Sequence, residues 1–318
     1  MEVISLDLSL IDSEDTTFLV GHKENLSFLQ SSIEEIGLLN PPILRVIGEK
    51  YQIISGWKRI LSCRELGHSQ TLCRVYGSQE ITDKECLKVI YYDNRDEISD
   101  LELSELIMLF RDLCSLDDKE LMDKILPLLE IPSSRKHLDK YLSLASLDKA
   151  IKDAYYGDKI TIEQCQMLSE LTFDNQLSML NNLLLQYNLN NNESRQVMRI
   201  VEEIALRDLK SISEVISFAE DAINTENKGK NELRQELRRM RYPELSSVEA
   251  EFKKAVQDLK LPNQINLLIN QFFEGNDLEF RIKVKSTDEL SQALHSLEGS
   301  LGSGDIEKLL NILRKGIN

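Results

Sequence analysis

Nowhere in these 318 residues does an apolar run approach the roughly 18 residues that a membrane-spanning helix requires. The opening MEVISLDLSL is acidic, and its apolar part is too short for a secretory signal, so the cytoplasm is the expected compartment. Cysteine is scarce. Cys63, Cys73, Cys86, Cys114 and Cys165 form no CxxC pair and are odd in number, which argues against a disulfide framework or a zinc site. Buried, reduced thiols are the expectation for them. His22, His68, His137 and His295 are scattered without metal-ligand spacing. Basic residues are in deficit, 38 Lys+Arg against 54 Asp+Glu, and the net charge is −16. This argues against indiscriminate nucleic-acid binding through the whole surface, and any DNA contact requires a local basic face. Residues 231–318 are the least acidic part, with nearly balanced charge.

What is present divides the chain by periodicity. Residues 1–98 alternate strands and helices. Ile4, Leu6 and Leu8 alternate with polar residues as in a half-buried strand. Leu26, Leu29, Ile33 and Ile36 recur at helical spacing, and Gly37 follows as a helix terminator. ILRVI (43–47) and YQIIS (51–55) flank GEK and read as a hairpin. A helix is expected from Trp57 to Leu66, closed by Gly67, then a strand at 72–76 and a Thr-capped helix over 82–94. Residues 99–224 are almost purely helical, with apolar stripes at Leu103–Leu113, Leu138–Ala145, Val197–Ile204 and Ile212–Ala219. The Asn-rich end of LNNLLLQYNLNNNES marks a loop before Ser194. Residues 225–243 are polar and basic, including Lys228, and read as a solvated linker helix that Pro243 breaks. Residues 244–318 read as a small ββα module. In it, INLLI and LEFRIKVK are strands joined through FFEGND, Ser286 and Glu289 start a helix, and GSLGSG links to a final helix. Its Phe272-Phe273 pair suggests packing or self-association. The expected class is α+β.

The richest stretch is Gly37–Gly67, GLLNPPILRVIGEKYQIISGWKRILSCRELG. It joins a double proline, an isolated arginine, a short apolar strand and a Gly-Trp-Lys-Arg turn that opens a helix. Backbone amides freed at a glycine turn and a helix N-terminus favour an anion. Arg45, Lys58 and Arg59 are cations close enough in sequence to help hold it. The bland alternatives are a helix stop at Pro41-Pro42, a core Trp57, a solvated Lys58-Arg59 pair, and a helix end at Asp93-Asn94.

Several blocks in one order resemble the ParB family, the nucleotide-dependent DNA clamps of chromosome and plasmid partition. ISLDLSLID resembles the opening strand of their N-terminal, sulfiredoxin-like domain. SIEEIGLLNPPILR and YQIISGWKRILSCRELG resemble its next two blocks, and ITDKECLKVIYYDN resembles the helix that ends in a Glu-Asn pair. The resemblance implies CTP and Mg2+. By position it puts Pro41 and Arg45 in the base and phosphate region, and Gly56, Lys58 and Arg59 around the phosphates. Asp93 would orient water and Asn94 would lie on the metal side. Three departures stand out: Trp57 replaces a Glu, Lys58 replaces an Arg, and Glu97 stands where the family has an Arg. Lysine lacks the bidentate fork, and a glutamate would repel a triphosphate.

Residues 120–151 resemble the family's helix-turn-helix region. EIPSSR would be the turn. Ser133 or Ser134 would cap a recognition helix that offers Arg135, Lys136, His137 and Lys140 to DNA. The resemblance implies a homodimer through the C-terminal region, a partner ATPase, and association with the nucleoid. Three functions remain: a nucleotide-gated partition or nucleoid regulator with at most weak CTPase activity, an interaction scaffold that has lost nucleotide binding, and a sulfiredoxin-fold kinase or other phosphotransfer enzyme. Cys63 lies one helical turn inside the segment where sulfiredoxins carry a reactive cysteine, so packing is its expected role.

Overall fold

The computed structural model describes residues 1–21, 26–223, 229–268 and 277–315. They form two compact units, 1–195 and 196–318.

The first unit begins with a five-stranded mixed sheet, order β1-β5-β3-β4-β2. β1 (Glu2–Asp7) runs antiparallel to β5 (Gln70–Tyr76), and β5 runs parallel to β3 (Ile43–Ile47). β3 pairs antiparallel with β4 (Lys50–Ser55), which pairs parallel with the two-residue β2 (Ile11–Asp12). The expected first strand stops one residue early. Leu8 enters a 3-10 turn because the Asp7 carboxylate accepts the Ser9 amide and caps it. α1 (Ser27–Ile36) and α2 (Trp57–Glu65) pack on the core of Leu6, Ile33, Leu44, Ile53, Ile60 and Cys63. α1 ends at Gly37 with φ +80°, as its sequence position predicts. α3 (Asp83–Asn94) starts with a complete capping box between Thr82 and Glu85. Cys86, Leu87, Ile90 and Tyr91 are its buried face.

Helices continue from there to residue 195. α4 (Asp100–Leu113) is capped by Ser99 and buries Leu101, Leu106, Ile107 and Phe110. α5 (Asp118–Glu120), a π-helical turn (Leu121–Ile125) and α6 (Leu126–Leu128) form one helical rod. Proline therefore does not break this rod. In the widened turn the Leu126 amide reaches back five residues to Leu121, and Pro127, which has no amide hydrogen, leaves the next carbonyl, Met122, without its donor. The Ser133 hydroxyl donates to that carbonyl at 2.5 Å. Ser133→Ala is expected to cost about 1 kcal/mol, read as a lowered urea midpoint at unchanged slope.

α7 (Arg135–Ala145) follows, and its buried stripe is Leu138, Tyr141 and Leu144 rather than the expected Leu142 and Ala145. α8 (Lys149–Tyr156), α9 (Ile162–Ser169), α10 (Phe173–Met179) with a π segment (Leu180–Leu184), and α11 (Leu185–Tyr187) complete the stack. The Asn-rich loop is shorter than its composition suggests. Asn188 ends α11 in the left-handed region at φ 47°. Asn190 accepts the Glu193 amide and so starts α12 (Asn191–Asp208) three residues before Ser194.

In the second unit, α13 (Ile212–Ala222) carries the expected stripe of Ile212, Val215, Ile216 and Ala219. The basic segment contains α14 (Lys230–Arg241), which is not solvated on every face: Leu233 and Leu237 are fully buried. Arg238 pairs with Glu249 at 2.7 Å and Arg241 with Glu203 at 2.5 Å. Pro243 opens the next helix, α15 (Pro243–Asp258), where its missing amide costs nothing. β6 (Ile265–Leu268) and β7 (Glu279–Ile282) pair antiparallel, Ile265 opposite Ile282. α16 (Thr287–Gly302) runs straight through most of GSLGSG, with Ser300 buried, and only Ser303-Gly304 separate it from α17 (Asp305–Lys315). Phe252 and Ala255 pack against Leu309, Ile312 and Leu313. His22, Lys228 and the Phe272-Phe273 pair lie outside the described residues.

Candidate functional site

The N-terminus of α2 is built by Gly56. Its φ of +99° lies in the left-handed region, and a Cβ there would stand 2.8 Å from Cβ of Pro42 and 3.0 Å from its Cα. Only glycine fits this turn without displacement. The Gly56 carbonyl accepts the Ile60 amide, the first helical bond, and no side chain caps the amides that precede it. Those amides are the ordinary anion-binding feature of a helix start.

They open on a cleft of about 450 Å3. Its walls are the Phe18–Gly21 segment, the start of α2, and the chain from the end of α3 into the first turn of α4. Among the residues singled out in the sequence, the cleft brings together Gly56, Lys58, Arg59, Asp93 and Asn94, with Asn40 beside them. Arg59 donates to Asp93 Oδ2 at 2.5 Å, to the Asn40 carbonyl at 3.0 Å and to the Pro41 carbonyl at 3.5 Å. Ser55 Oγ donates to the same Asp93 oxygen at 2.5 Å. Asn94 Nδ2 donates to Ser55 Oγ at 3.3 Å and to the Ile90 carbonyl at 2.8 Å, which leaves its amide oxygen as an available acceptor. Lys58 has no partner among the described residues. The rim also carries Arg95, which bonds Glu130, together with Asp96, Glu97 and Glu102. The walls thus hold three cations and four carboxylates.

Trp57 lines the cleft and packs on the sheet core, and its buried indole N–H has no hydrogen-bond partner. Composition gave no sign of this orphaned donor, which depends on what surrounds the ring.

Arg45 is not in the cleft. It donates from Nε to Gln52 Oε1 at 2.6 Å, pairs with Asp83 at 2.7 Å, and lies 4.9 Å from the centroid of Phe18. Pro41 does not line the cleft, and its carbonyl accepts from Arg59 at 3.5 Å. Cys63 is buried in the core. Burial pushes the Cys73 and Cys86 thiols up to about 11, so neither is a ready thiolate at neutral pH.

In the second constellation a helical rod over 118–128 is followed by α7. Ser134, not Ser133, is the cap: its hydroxyl accepts the His137 amide and meets His137 Nδ1 at 2.8 Å. Arg135 is held by Asp118 at 2.7 Å and by Asp139 at 2.8 Å, which raises its already high pKa further. Lys140 is held by Asp100 at 2.9 Å. Lys136 is exposed and has no partner among the described residues.

A small mixed α/β sheet with an anion-competent helix start at its cleft defines the class of the N-terminal domain. Residues 1–95 match the family model of the ParB N-terminal domain. Among solved structures the chain is similar to the C-terminally truncated chromosome-partitioning protein ParB from Caulobacter crescentus complexed with CTP-gamma-S. The identity is 17%, over 54% of this chain and 94% of that one, with a TM-score of 0.27. The same Caulobacter protein complexed to the centromeric parS site is similar at 15% identity, over 62% and 98%, with a TM-score of 0.34. A Pnob8-like ParB-N domain is similar at 16% identity, over 65% and 83%, with a TM-score of 0.36. No curated protein matches the chain. Among the described residues, no helix is long and apolar enough to cross a membrane.

Proposed function

We propose that this protein is a ParB-type DNA-binding protein whose first domain takes up a nucleoside triphosphate in the cleft at the start of α2. The observation that carries the reading is Gly56: a position where a Cβ would collide with Pro42 exposes uncapped helix amides between Lys58 and Arg59. Amides and cations so placed fit phosphate oxygens. The resemblance of the sequence blocks makes CTP the nucleotide to test first. Magnesium fits more loosely. No group of three or more His, Cys, Asp or Glu among the described residues could hold a metal. Magnesium would therefore be carried by the phosphates and its own waters, with the Asn94 amide oxygen as the protein's contribution.

Arg59 and Ser55 share Asp93 Oδ2, so a water oriented by this side chain would be held through Oδ1. Phosphate entry would compete with Asp93 for Arg59 and weaken the hold on Oδ2. DNA would meet α7 chiefly through Lys136, with Arg135 available only on leaving Asp118 and Asp139. The scaffold reading draws on one observation, the four cleft carboxylates and an Arg59 already neutralised by its own chain.

The test is calorimetry with CTP, ATP and GTP plus magnesium, alongside salt-titrated DNA binding of the wild type and Lys136→Ala. The expected outcome is selective binding of one nucleotide, and a log–log salt slope lower by about one in the variant. No binding of any nucleotide, with DNA binding absent at low salt, would leave the scaffold reading standing.

A further inference from the structure

We propose that Arg45 is a positioning residue for the cleft, setting ligand affinity through the Phe18–Gly21 wall without touching the ligand. This rests on the cleft being the nucleotide site.

The wall has two moorings. At one end, Arg45 Nε donates to Gln52 Oε1 at 2.6 Å, and Gln52 Nε2 donates to Asp15 Oδ2 at 2.6 Å. Asp15 also accepts the Thr17 amide at 3.0 Å and the Thr17 hydroxyl at 2.6 Å. One chain of bonds thus runs from β3 through β4 to the turn that launches Phe18. The Arg45 guanidinium then covers the Phe18 ring, which is 1% exposed. At the other end, the Gly21 amide donates to Glu105 Oε2 at 2.9 Å, and a Cβ on Gly21 would meet the Glu102 side chain. Arg45 also pairs with Asp83 in the first turn of α3, the helix whose last turn presents Asp93 and Asn94 to the cleft. The same side chain therefore ties two of the cleft's walls to the sheet.

Burial alone would raise the Asp15 carboxyl, but the bonds from Thr17 and Gln52 outweigh it and hold the carboxyl below its ordinary value. The bridge is thus ionised at neutral pH. Arginine is required because one planar fork serves Gln52 and Asp83 while its face covers Phe18.

Arg45→Ala and Asp15→Asn are compared with the wild type by calorimetry with CTP and by amide hydrogen exchange over residues 15–21 without ligand. Asp15 lies outside the cleft lining, so Asp15→Asn removes the bridge with little risk to the fold. Each variant is expected to bind about tenfold more weakly, through lost preorganisation, and to exchange faster at Thr17–Gly21. The double variant is expected to bind no worse than Arg45→Ala alone, since Asp15→Asn removes part of the tether that Arg45 supplies. If Arg45 touched the ligand directly, Asp15→Asn would keep wild-type affinity and the losses would add, and that result overturns the proposal. So does unchanged exchange over 15–21 in both variants. If wild-type protein binds no nucleotide, the nucleotide reading falls, and the effect on affinity falls with it. The exchange measurement still decides by itself whether Arg45 sets the wall.

Discussion

Gly56→Ala is expected to destabilise the first unit by about 2–4 kcal/mol, read as a lowered denaturant midpoint. Two costs combine. The φ of +99° is unfavourable for any residue with a Cβ, and the new methyl would sit 2.8 Å from Pro42 Cβ and 3.0 Å from Arg59 Nε. Pro42 cannot swing aside, because its ring is fixed to the backbone and its carbonyl accepts the Arg74 amide at 2.8 Å, tying it to β5. Relief would come from shifting the first turn of α2, which would move the uncapped amides and Arg59 together. Gly48→Ala is the control. It also has positive φ, +61°, but nothing lies within 4 Å of where its Cβ would stand, so only the backbone cost of about 1 kcal/mol applies. Equal losses at the two glycines would mean that the Pro42 contact does not constrain the turn.

The sheet and the α2 turn were legible because their signals are local. ILRVI, GEK and YQIIS give a hairpin by alternation and a glycine turn, and β3 and β4 form there. Thr82 and Glu85 form the predicted start of α3. The placement of Arg45 was not legible. Its spacing from Gly56 resembles the family pattern, but the direction of its side chain is set by Gln52, Asp83 and Phe18, which lie at long range or on the neighbouring strand. The same limit applies to the cations of 135–140. Counted along the chain they are a basic run, whereas in space Asp118, Asp139 and Asp100 neutralise two of them. The buried face of α14 was not legible for a related reason. Its charges dominate the composition, but the two leucines four residues apart, Leu233 and Leu237, determine its packing.

Removing the Arg59 side chain should have the second large effect, and it separates stability from binding. Arg59 and Asp93 are 16% and 17% exposed, and the Asn40 and Pro41 carbonyls share the same guanidinium. Arg59→Ala leaves Asp93 with Ser55 and strips both carbonyls of their donor. The expected loss is about 2 kcal/mol, below the value for a fully buried pair because water reaches this one. Asp93→Asn retains an oxygen for both donors and should cost about 1 kcal/mol or less. The double variant should show positive coupling, since the two side chains contact each other directly. Binding should respond with opposite signs. Arg59→Ala removes a phosphate donor and is expected to weaken CTP binding about a hundredfold, close to 2.7 kcal/mol. Asp93→Asn lifts the competition for Arg59 and removes a negative charge facing the phosphates, so it should bind CTP tighter than wild type. A tighter Asp93→Asn would show that this acid holds the arginine back before the ligand arrives, in a pocket whose four carboxylates already oppose an anion. Weaker binding in Asp93→Asn would instead place that carboxylate on the metal or the nucleotide itself.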